Sequence, residues 1–515
     1  MRKLPGAISA DFTREVTVHH NRNVAHRARR TNVAILAVVS LACALALIGA
    51  AVHPRSNPNL TYTQERKDTE VSSLRTAVRT TGASVTPYMA DEFADSFAVN
   101  TRFGQGIYAG QRPTVERYLV ELGFRHIRDG GIIYNAETRA YLRGLCTRYG
   151  IHPSLGLNDS DPDAAIVQYV KDVPCIDMVE GPNELNGQPN WMQRLATFMP
   201  HAYELVKHTP AFAGIPVVGP SITSVDDAEQ LGKLIDLSKY VDYGNKHSYP
   251  GQRNIGGRDG TGDHGFGSKH PGCPQYAYGS FFFNICQVQL FTDDRPIWTT
   301  ETGFSSTPEG APSPNVHPPY GSIPYDVAVK YFTRTMAYEF LNGITRTYIM
   351  ALLDGASGCN GSFNTLGLIE QDCPNTGLAS SLHPKPPFYA LKNLMAVVAD
   401  PGPPFTPAPI SLKISGAGNA LQWLLLQKRS GEYVLLYWVE GSDWNVDAGT
   451  PERVAPEQII VSVGEMGDTS AAQTFGIEND GNLSRPVPVR FSGNNVKVTA
   501  TDAMQFLTFR MPNHG

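Results

Sequence analysis

Short apolar runs alternate with longer amphipathic segments from about residue 90 to residue 398. The apolar runs have the length of buried strands, and the amphipathic segments have the spacing of helices with one apolar face. Strands are predicted at 97–103, 125–128, 152–157, 176–180, 217–219, 241–247, 296–301 and 346–352. Helices are predicted at 114–122, 136–149, 162–171, 191–207, 226–237, 281–291, 325–341 and 386–398. Eight such units predict an α/β fold whose parallel sheet closes into a (β/α)8 TIM barrel.

The alternation stops at a proline-rich segment, residues 401–409. Beyond it the helical spacing disappears and short β-rich runs follow one another, with a hairpin turn indicated at 429–432. These runs lie at 410–414, 421–427, 433–438, 458–463, 487–491, 496–499 and 505–510. The pattern therefore predicts two domains, a barrel at 84–400 and a small all-β sandwich at 401–515.

The N-terminal part of the chain has a different character. Residues 33–52 are uncharged and almost wholly apolar, and a helix of this length spans a hydrocarbon core of roughly 30 Å. Several arginines precede this stretch, so the positive-inside rule places the N-terminus in the cytoplasm and the rest outside, in an extracellular or periplasmic space. We thus expect a cytoplasmic segment, a membrane anchor and a polar stalk, at residues 1–32, 33–53 and 54–83. A cleaved signal peptide is the alternative, because small residues follow the apolar core, and it would leave the protein secreted.

Composition and charge narrow the class of protein. The chain has 515 residues, of which 41% are hydrophobic and 18% charged, with a formal net charge of −5. These values are those of a globular protein with more than one domain. Because no basic run lies outside the N-terminal segment, nothing indicates a nucleic-acid partner. The composition does not indicate an oligomeric state.

Cysteine usage agrees with export. Six cysteines follow the apolar stretch, at positions 146, 175, 273, 286, 359 and 373, and a seventh, Cys43, lies within it. Six cysteines allow fifteen pairings, and proximity in the chain favours 146–175, 273–286 and 359–373. Free buried thiols are the alternative. The sequence contains no C-x-x-C pair, so the spacing does not indicate a zinc knuckle or a thioredoxin-type site.

Two glutamates follow predicted strands whose ends would meet in a barrel. Glu184 comes after the fourth strand in Gly-Pro-Asn-Glu, and Glu301 ends the seventh in Trp-Thr-Thr-Glu. The usable site of a parallel barrel lies at the carboxyl ends of its strands, and the fourth and seventh strands face each other across it. Cleavage of a glycosidic bond needs a protonated carboxyl for the leaving oxygen and an ionised carboxylate for the anomeric carbon. The pair therefore predicts glycosidase chemistry, with the carboxyls about 5 Å apart if anomeric configuration is retained.

The Asn-Glu after strand four and the Glu that ends strand seven resemble clan A of the glycoside hydrolases, which includes cellulases, β-xylosidases, α-L-iduronidases and β-glucuronidases. This resemblance covers about residues 84–398 and implies a retaining hydrolase that needs no metal or other cofactor. It implies Glu184 as acid/base, Glu301 as nucleophile and Asn183 as a sugar ligand. His247-Ser248-Tyr249 is similar to the clan's His-x-Tyr, whose tyrosine bonds the nucleophile. Arg128 is similar to the arginine that keeps that nucleophile ionised.

Other positions depart from the clan's pattern or admit a structural explanation. Strand eight ends in Met-Ala-Leu-Leu-Asp without the clan's tryptophan, and strand three ends at Asn158 instead of a histidine. Both Asn158 and Trp191 are expected to bind substrate. Trp298 is a further candidate for stacking on a sugar, but core packing explains it at least as well, because its neighbours are strand residues. The alternative role for Arg128 is structural, as the ion-pair partner of Asp129. The Gly-rich stretch 256–272 lacks Gly-Lys-Ser/Thr and is interpreted as an insertion at the rim of the cleft.

Two alternatives to hydrolysis remain open at this stage. One is a non-catalytic carbohydrate-binding or cell-wall protein on the same fold, and the other is a transglycosylase, which uses the same two carboxylates. The sequence lacks H-E-x-x-H and G-x-S-x-G, and so does not indicate a zinc protease or a Ser-triad hydrolase. The expected partner is a carbohydrate.

Overall fold

The computed structural model of the protein describes residues 84–257, 267–310, 321–355, 365–371, 381–466 and 471–512. The predicted anchor at 33–53 and the cytoplasmic segment and stalk on either side of it lie outside these residues. Within them, no helix combines the length and the apolar character needed to cross a membrane.

Eight parallel strands form the first part of the fold. They are β1 (Phe97–Asn100), β2 (His126–Arg128), β3 (His152–Pro153 and Leu155–Gly156), β4 (Val179–Glu180), β5 (Val217–Val218), β6 (Gly244–His247), β7 (Ile297–Thr302) and β8 (Ile344–Ile349). Each pairs with the next in parallel register, β5 joins β6 through a bridge between Val218 and Tyr243, and β8 returns to β1. This closed order places all eight carboxyl ends on one face.

A helix follows each strand. These are α1 (Arg112–Leu122), α2 (Ala136–Tyr149), α3 (Asp163–Asp172), α4 (Trp191–His208), α5 (Val225–Leu234), α6 (Phe281–Thr292), α7 (Tyr325–Leu341) and α8 (Pro386–Val398). The ends of α2 show why the boundaries could be predicted: the Asn135 side chain accepts from the Thr138 amide, and Gly150 ends the helix at φ 65°. The predicted α/β fold with a parallel sheet is confirmed.

The C-terminal part is a sandwich of two mainly antiparallel sheets around an apolar core. Its main strands are β9 (Ile410–Ser415), β10 (Leu421–Gln427), β11 (Glu432–Val439), β12 (Glu457–Val463), β13 (Ala471–Gly476), β14 (Val487–Arg490), β15 (Asn495–Ala500) and β16 (Gln505–Arg510). Strand β13 is absent from the sequence prediction, because its alternation is weak. Ser84–Val85 pairs with β9 and Tyr88–Met89 with β10, so the segment that leads into the barrel belongs to the sandwich sheets.

Buried charges join the barrel to the sandwich. Lys330 of α7 contacts Asp443 at 3.1 Å and Asp502 at 2.7 Å, and Arg334, one turn later, contacts Asp443 at 2.8 Å. Burial raises the pKa of Asp443 to about 7, and Arg334 lowers it only in part. These contacts hold the sandwich against the helical side of the barrel.

Two of the three favoured disulfides are present. Cys146 of α2 is bonded to Cys175, and Cys273 is bonded to Cys286 of α6. The third predicted pair, 359–373, lies outside the described residues. Each observed bridge ties a barrel helix to a neighbouring loop or strand.

Candidate active site

A cleft of about 920 Å³ opens at the carboxyl ends of the barrel strands. Its wall includes Arg128 from β2, His247 from β6 and Glu301 from β7, together with Asn183 and Glu184 from the loop after β4. The sequence separates these residues widely, and only the closed order of the strands brings them to one face. The cleft is large enough for a sugar ring and part of its neighbour.

The two predicted catalytic carboxyls face each other in this cleft. One carboxylate oxygen of Glu184, one of Glu301 and a ring nitrogen of His247 all lie within 4.8 Å of one another. The Glu184 side chain is 36% exposed and that of Glu301 is 15% exposed. The two carboxyls are thus close enough to contact one small group placed between them.

Arg128 organises the carboxylates around it. Its Nη1 donates to Glu301 Oε1 at 2.6 Å, its Nε to Glu180 Oε2 at 2.6 Å and its Nη2 to Asn183 Oδ1 at 2.7 Å. Asp129 is engaged elsewhere, accepting from the Thr101 hydroxyl and the Phe103 amide. The structure thus places Arg128 against Glu301 and Asn183, and not in the scaffold pair with Asp129.

The surroundings of Glu301 favour its ionised form. Burial by itself raises the pKa of the carboxyl, but His247, the Arg128 guanidinium and the Tyr249 hydroxyl together lower it to about 2. Tyr249 donates to Glu301 Oε2 at 2.7 Å. Burial and the adjacent carboxylate raise the pKa of Tyr249 well above its usual value, so it remains a donor. Glu301 is therefore an ionised carboxylate with both oxygens hydrogen-bonded.

Glu184 has different surroundings. Its backbone adopts the left-handed region at φ 46°, which is uncommon for a residue with a side chain. The Glu184 amide donates to Ser221 Oγ at 3.1 Å, and its Oε1 lies 2.7 Å from His247 Nδ1. This conformation turns the carboxyl into the cleft, where it is the more exposed of the pair.

Glu180 belongs to the site although the sequence analysis did not single it out. This carboxylate is 1% exposed at the end of β4, and it contacts Arg128, Asn245 and Thr300. The sequence does contain a signal for Glu180, namely a charged residue inside a strand that is otherwise buried, since a buried charge needs a partner. Glu180, which also lines the cleft, accepts from Arg128 Nε at 2.6 Å and so fixes the orientation of the guanidinium.

The remaining predicted ligands differ in their placement. Asn158 is exposed and lines the cleft. Trp191 is only 7% exposed at the start of α4, and among the described residues it does not line the cleft. At the end of β8, Met350 and Ala351 line the cleft where the clan has a tryptophan. The predicted substrate contacts therefore converge on the cleft except at Trp191, where core packing explains the residue.

The geometry also bears on metal binding. Glu184, His247 and Glu301 would offer three ligand atoms to an ion. Arg128 and Tyr249 already donate to the two oxygens of Glu301, and a guanidinium at this distance repels a cation.

Comparisons with known proteins give only distant similarities. No protein-family model and no curated protein matches the sequence. Among solved structures, the chain resembles a β-1,3-glucanosyltransferase of Rhizomucor miehei, with 15% identity, coverage of 53% of this chain and 92% of the other, and a TM-score of 0.38. It also resembles an endo-β-1,6-glucanase, with 11% identity, coverage of 83% and 94%, and a TM-score of 0.43.

A third similar structure is a family 44 xyloglucanase of Paenibacillus polymyxa, with 11% identity, coverage of 73% and 84%, and a TM-score of 0.43. At these values the similarity carries no argument about activity, which has to come from the side chains of this chain. Of these three structures, one is named as a glucanosyltransferase, one as a glucanase and one as a xyloglucanase.

Proposed function

We propose that this protein is a retaining glycoside hydrolase that cleaves an extracellular glycoside or polysaccharide by double displacement. The observation that carries the proposal is the pair Glu184 and Glu301, whose oxygens lie within 4.8 Å of each other at the mouth of the barrel. A separation of this size supports direct attack by one carboxylate, as in retaining enzymes, over the wider carboxyl spacing of inverting enzymes. The two disulfides support action outside the cytoplasm.

In the first step, Glu301 attacks the anomeric carbon. A bond forms between a Glu301 oxygen and that carbon while the bond to the leaving oxygen breaks, and the proton of Glu184 goes to the leaving oxygen. Glu301 is suited to this role because Arg128 and Tyr249 keep it ionised. Glu184 is suited to the other role because its exposed carboxyl can reach a leaving group.

In the second step, water displaces Glu301 from the anomeric carbon. Glu184, now ionised, takes a proton from water, the water oxygen bonds to the anomeric carbon, and the ester to Glu301 breaks. Two inversions leave the configuration retained. Asn183, held by Arg128 Nη2 at 2.7 Å, is positioned to bind a hydroxyl of the same sugar, since its amide nitrogen has no hydrogen-bond partner among the described residues.

The roles of the two glutamates are tested with a panel of aryl glycosides and polysaccharides. Glu301→Ala should abolish turnover whatever the leaving group. Glu184→Ala should spare the first step with an activated aryl leaving group and slow a natural sugar leaving group by about 10²–10⁴-fold. Added azide, which needs no base, should restore turnover of Glu184→Ala and give a product of retained configuration.

Glu204→Gln is a matched control, because this carboxyl is 61% exposed on α4 and is not among the described residues that line the cleft. It should leave turnover unchanged. Inverted product, or full activity in Glu301→Ala, would overturn the roles given to the glutamates. Saturable sugar binding without turnover of any substrate would instead favour a carbohydrate-binding protein.

A further inference from the structure

His247 has a ring nitrogen on each side of the site. Nδ1 lies 2.7 Å from Glu184 Oε1 and 3.8 Å from Glu301 Oε2, and Nε2 lies 3.1 Å from Thr300 Oγ1. The side chain is 4% exposed, so water does not decide which nitrogen is protonated. The choice between the two neutral forms determines whether Glu184 faces a donor or an acceptor.

Asn245 fixes the direction of the hydrogen bond from Thr300. The Asn245 Nδ2 group donates to Glu180 Oε1 at 2.9 Å and to the Gly219 carbonyl at 3.0 Å. Both partners only accept, so they use both amide hydrogens and set the orientation of the amide. Asn245 Oδ1 is then the atom 2.6 Å from Thr300 Oγ1, and it can only accept.

Thr300 has a single hydroxyl hydrogen. Its two other oxygen neighbours, Asn245 Oδ1 at 2.6 Å and Glu180 Oε1 at 2.9 Å, are both acceptors. Whichever of them takes the hydrogen, only lone pairs of Thr300 are left for His247. Nε2 must therefore carry a hydrogen and donate it to Thr300, and neutral His247 then has a bare Nδ1.

We propose that Thr300 acts as a positioning residue that sets the tautomer of His247, so that Nδ1 accepts the acid proton of Glu184. This inference rests on the proposed function, in which the proton of Glu184 is the one that passes to the leaving oxygen. Glu184 and His247 hold one proton between Oε1 and Nδ1, and it can be written on either atom. The pair keeps this proton until the leaving oxygen takes it.

Other charged groups face the pair. Glu301 lies on the same side of the ring as Glu184, with Arg128 and Tyr249 bonded to it, and Glu180 acts on the ring through Thr300. Loss of the shared proton leaves a bare Nδ1 against an ionised carboxylate, with no hydrogen between them. This state is unfavourable, so Thr300 helps the pair to keep its proton as the pH rises.

The first test reads the tautomer directly and needs no activity. Long-range ¹H–¹⁵N spectra of the full chain labelled with ¹⁵N-histidine distinguish protonated from bare ring nitrogens, and His247→Gln identifies the signal by its loss. We expect a protonated Nε2 throughout, and a bare Nδ1 once the shared proton has left at high pH. A neutral form with the hydrogen on Nδ1 would overturn the proposal.

The second test uses the pH profile of kcat/KM. Thr300→Val removes the acceptor, so neutral His247 can move its hydrogen to Nδ1 and donate to ionised Glu184. The shared proton is then lost at a lower pH. The basic limb of the kcat/KM profile should therefore move down by about half to one pH unit, which corresponds to the net free energy of one hydrogen bond. Thr300→Ser keeps the hydroxyl and should leave the basic limb at its original pH.

Thr299→Val is the matched control on the same strand. The Thr299 hydroxyl is buried and has no hydrogen-bond partner among the described residues, so this variant should not move the limb. A basic limb that stays in place in Thr300→Val would refute the positioning role, even if activity fell. If Thr300→Val does not fold, the spectra of the unsubstituted chain still decide. A protein without turnover but with the expected tautomer would refute the proposed function alone.

Discussion

The Tyr249→Phe substitution tests how the site keeps Glu301 ionised. It removes one hydroxyl that donates to Glu301 Oε2 at 2.7 Å and leaves the Arg128 contact to Oε1 in place. No buried charge loses its counter-charge, so the fold should tolerate the change. The expected effect is thus confined to the balance between the protonated and ionised forms of Glu301.

The magnitude follows from the surroundings of the carboxyl. The pKa of Glu301 is lowered from 4.5 to about 2 against the effect of burial, and a hydrogen bond to a charged group contributes about 1.5–3 kcal/mol. At about 1.4 kcal/mol for each pH unit, losing this bond should raise the pKa of Glu301 to about 3–4. Because an ionised nucleophile is required, activity is lost as the pH falls through this pKa, and the acidic limb moves upward.

The assay is kcat/KM on an activated aryl glycoside, with enzyme held near neutral pH and diluted into each acidic buffer to limit unfolding. Tyr437→Phe is the control, because it removes a hydrogen bond to Thr474 inside the sandwich and should leave the acidic limb in place. An acidic limb at the same pH in Tyr249→Phe and the unsubstituted chain would refute the account of how Glu301 is kept ionised.

Three further predictions concern stability. Arg128→Met should lower the free energy of unfolding by about 3–5 kcal/mol, since it leaves Glu180 buried without a counter-charge. Unfolding in urea measures this loss, and a value below about 1 kcal/mol would contradict the prediction. Replacing Cys146 and Cys175 with serine opens a loop with a sequence separation of 29 and should cost about 3–4 kcal/mol, seen as a lower denaturation midpoint. Burial raises the pKa of Asp443 to about 7, so its contribution to stability is full below about pH 4 and is lost as the pH rises to about 7. Asp443→Asn should remove this pH dependence, of at most about 4 kcal/mol; unchanged slopes between pH 4 and 8 would argue against it.

The sequence determined the order of the barrel elements and the ends of three helices, α2, α7 and α8, whereas several strands end at other residues than predicted. Helix α2 was predicted at its observed limits, because Asn135 and Gly150 cap it and its apolar positions repeat at helical spacing. Glu301 could also be recognised from a local pattern, because a charged residue at the end of a buried strand interrupts the apolar run. Strand β13 was missed, since four of its six residues are exposed or partly exposed and its apolar residues do not alternate regularly.

Closure of the barrel decided the rest. Arg128 and Glu301 are 173 residues apart in the chain, and sequence pattern has no way to show that one guanidinium bonds Glu180, Glu301 and Asn183 together. The same holds for the bonds from Asn245 to Thr300 and from Thr300 to His247, which cross from one strand to its neighbours. Local propensity and hydrophobic period are properties of short segments, whereas the ionisation of Glu301 and the tautomer of His247 depend on groups that meet only when the eight strands close. The sequence by itself thus predicted Glu184 and Glu301 at the mouth of the barrel. The tertiary structure added Glu180 to the site and decided the charge of Glu301, the partners of these carboxylates and the distances between them.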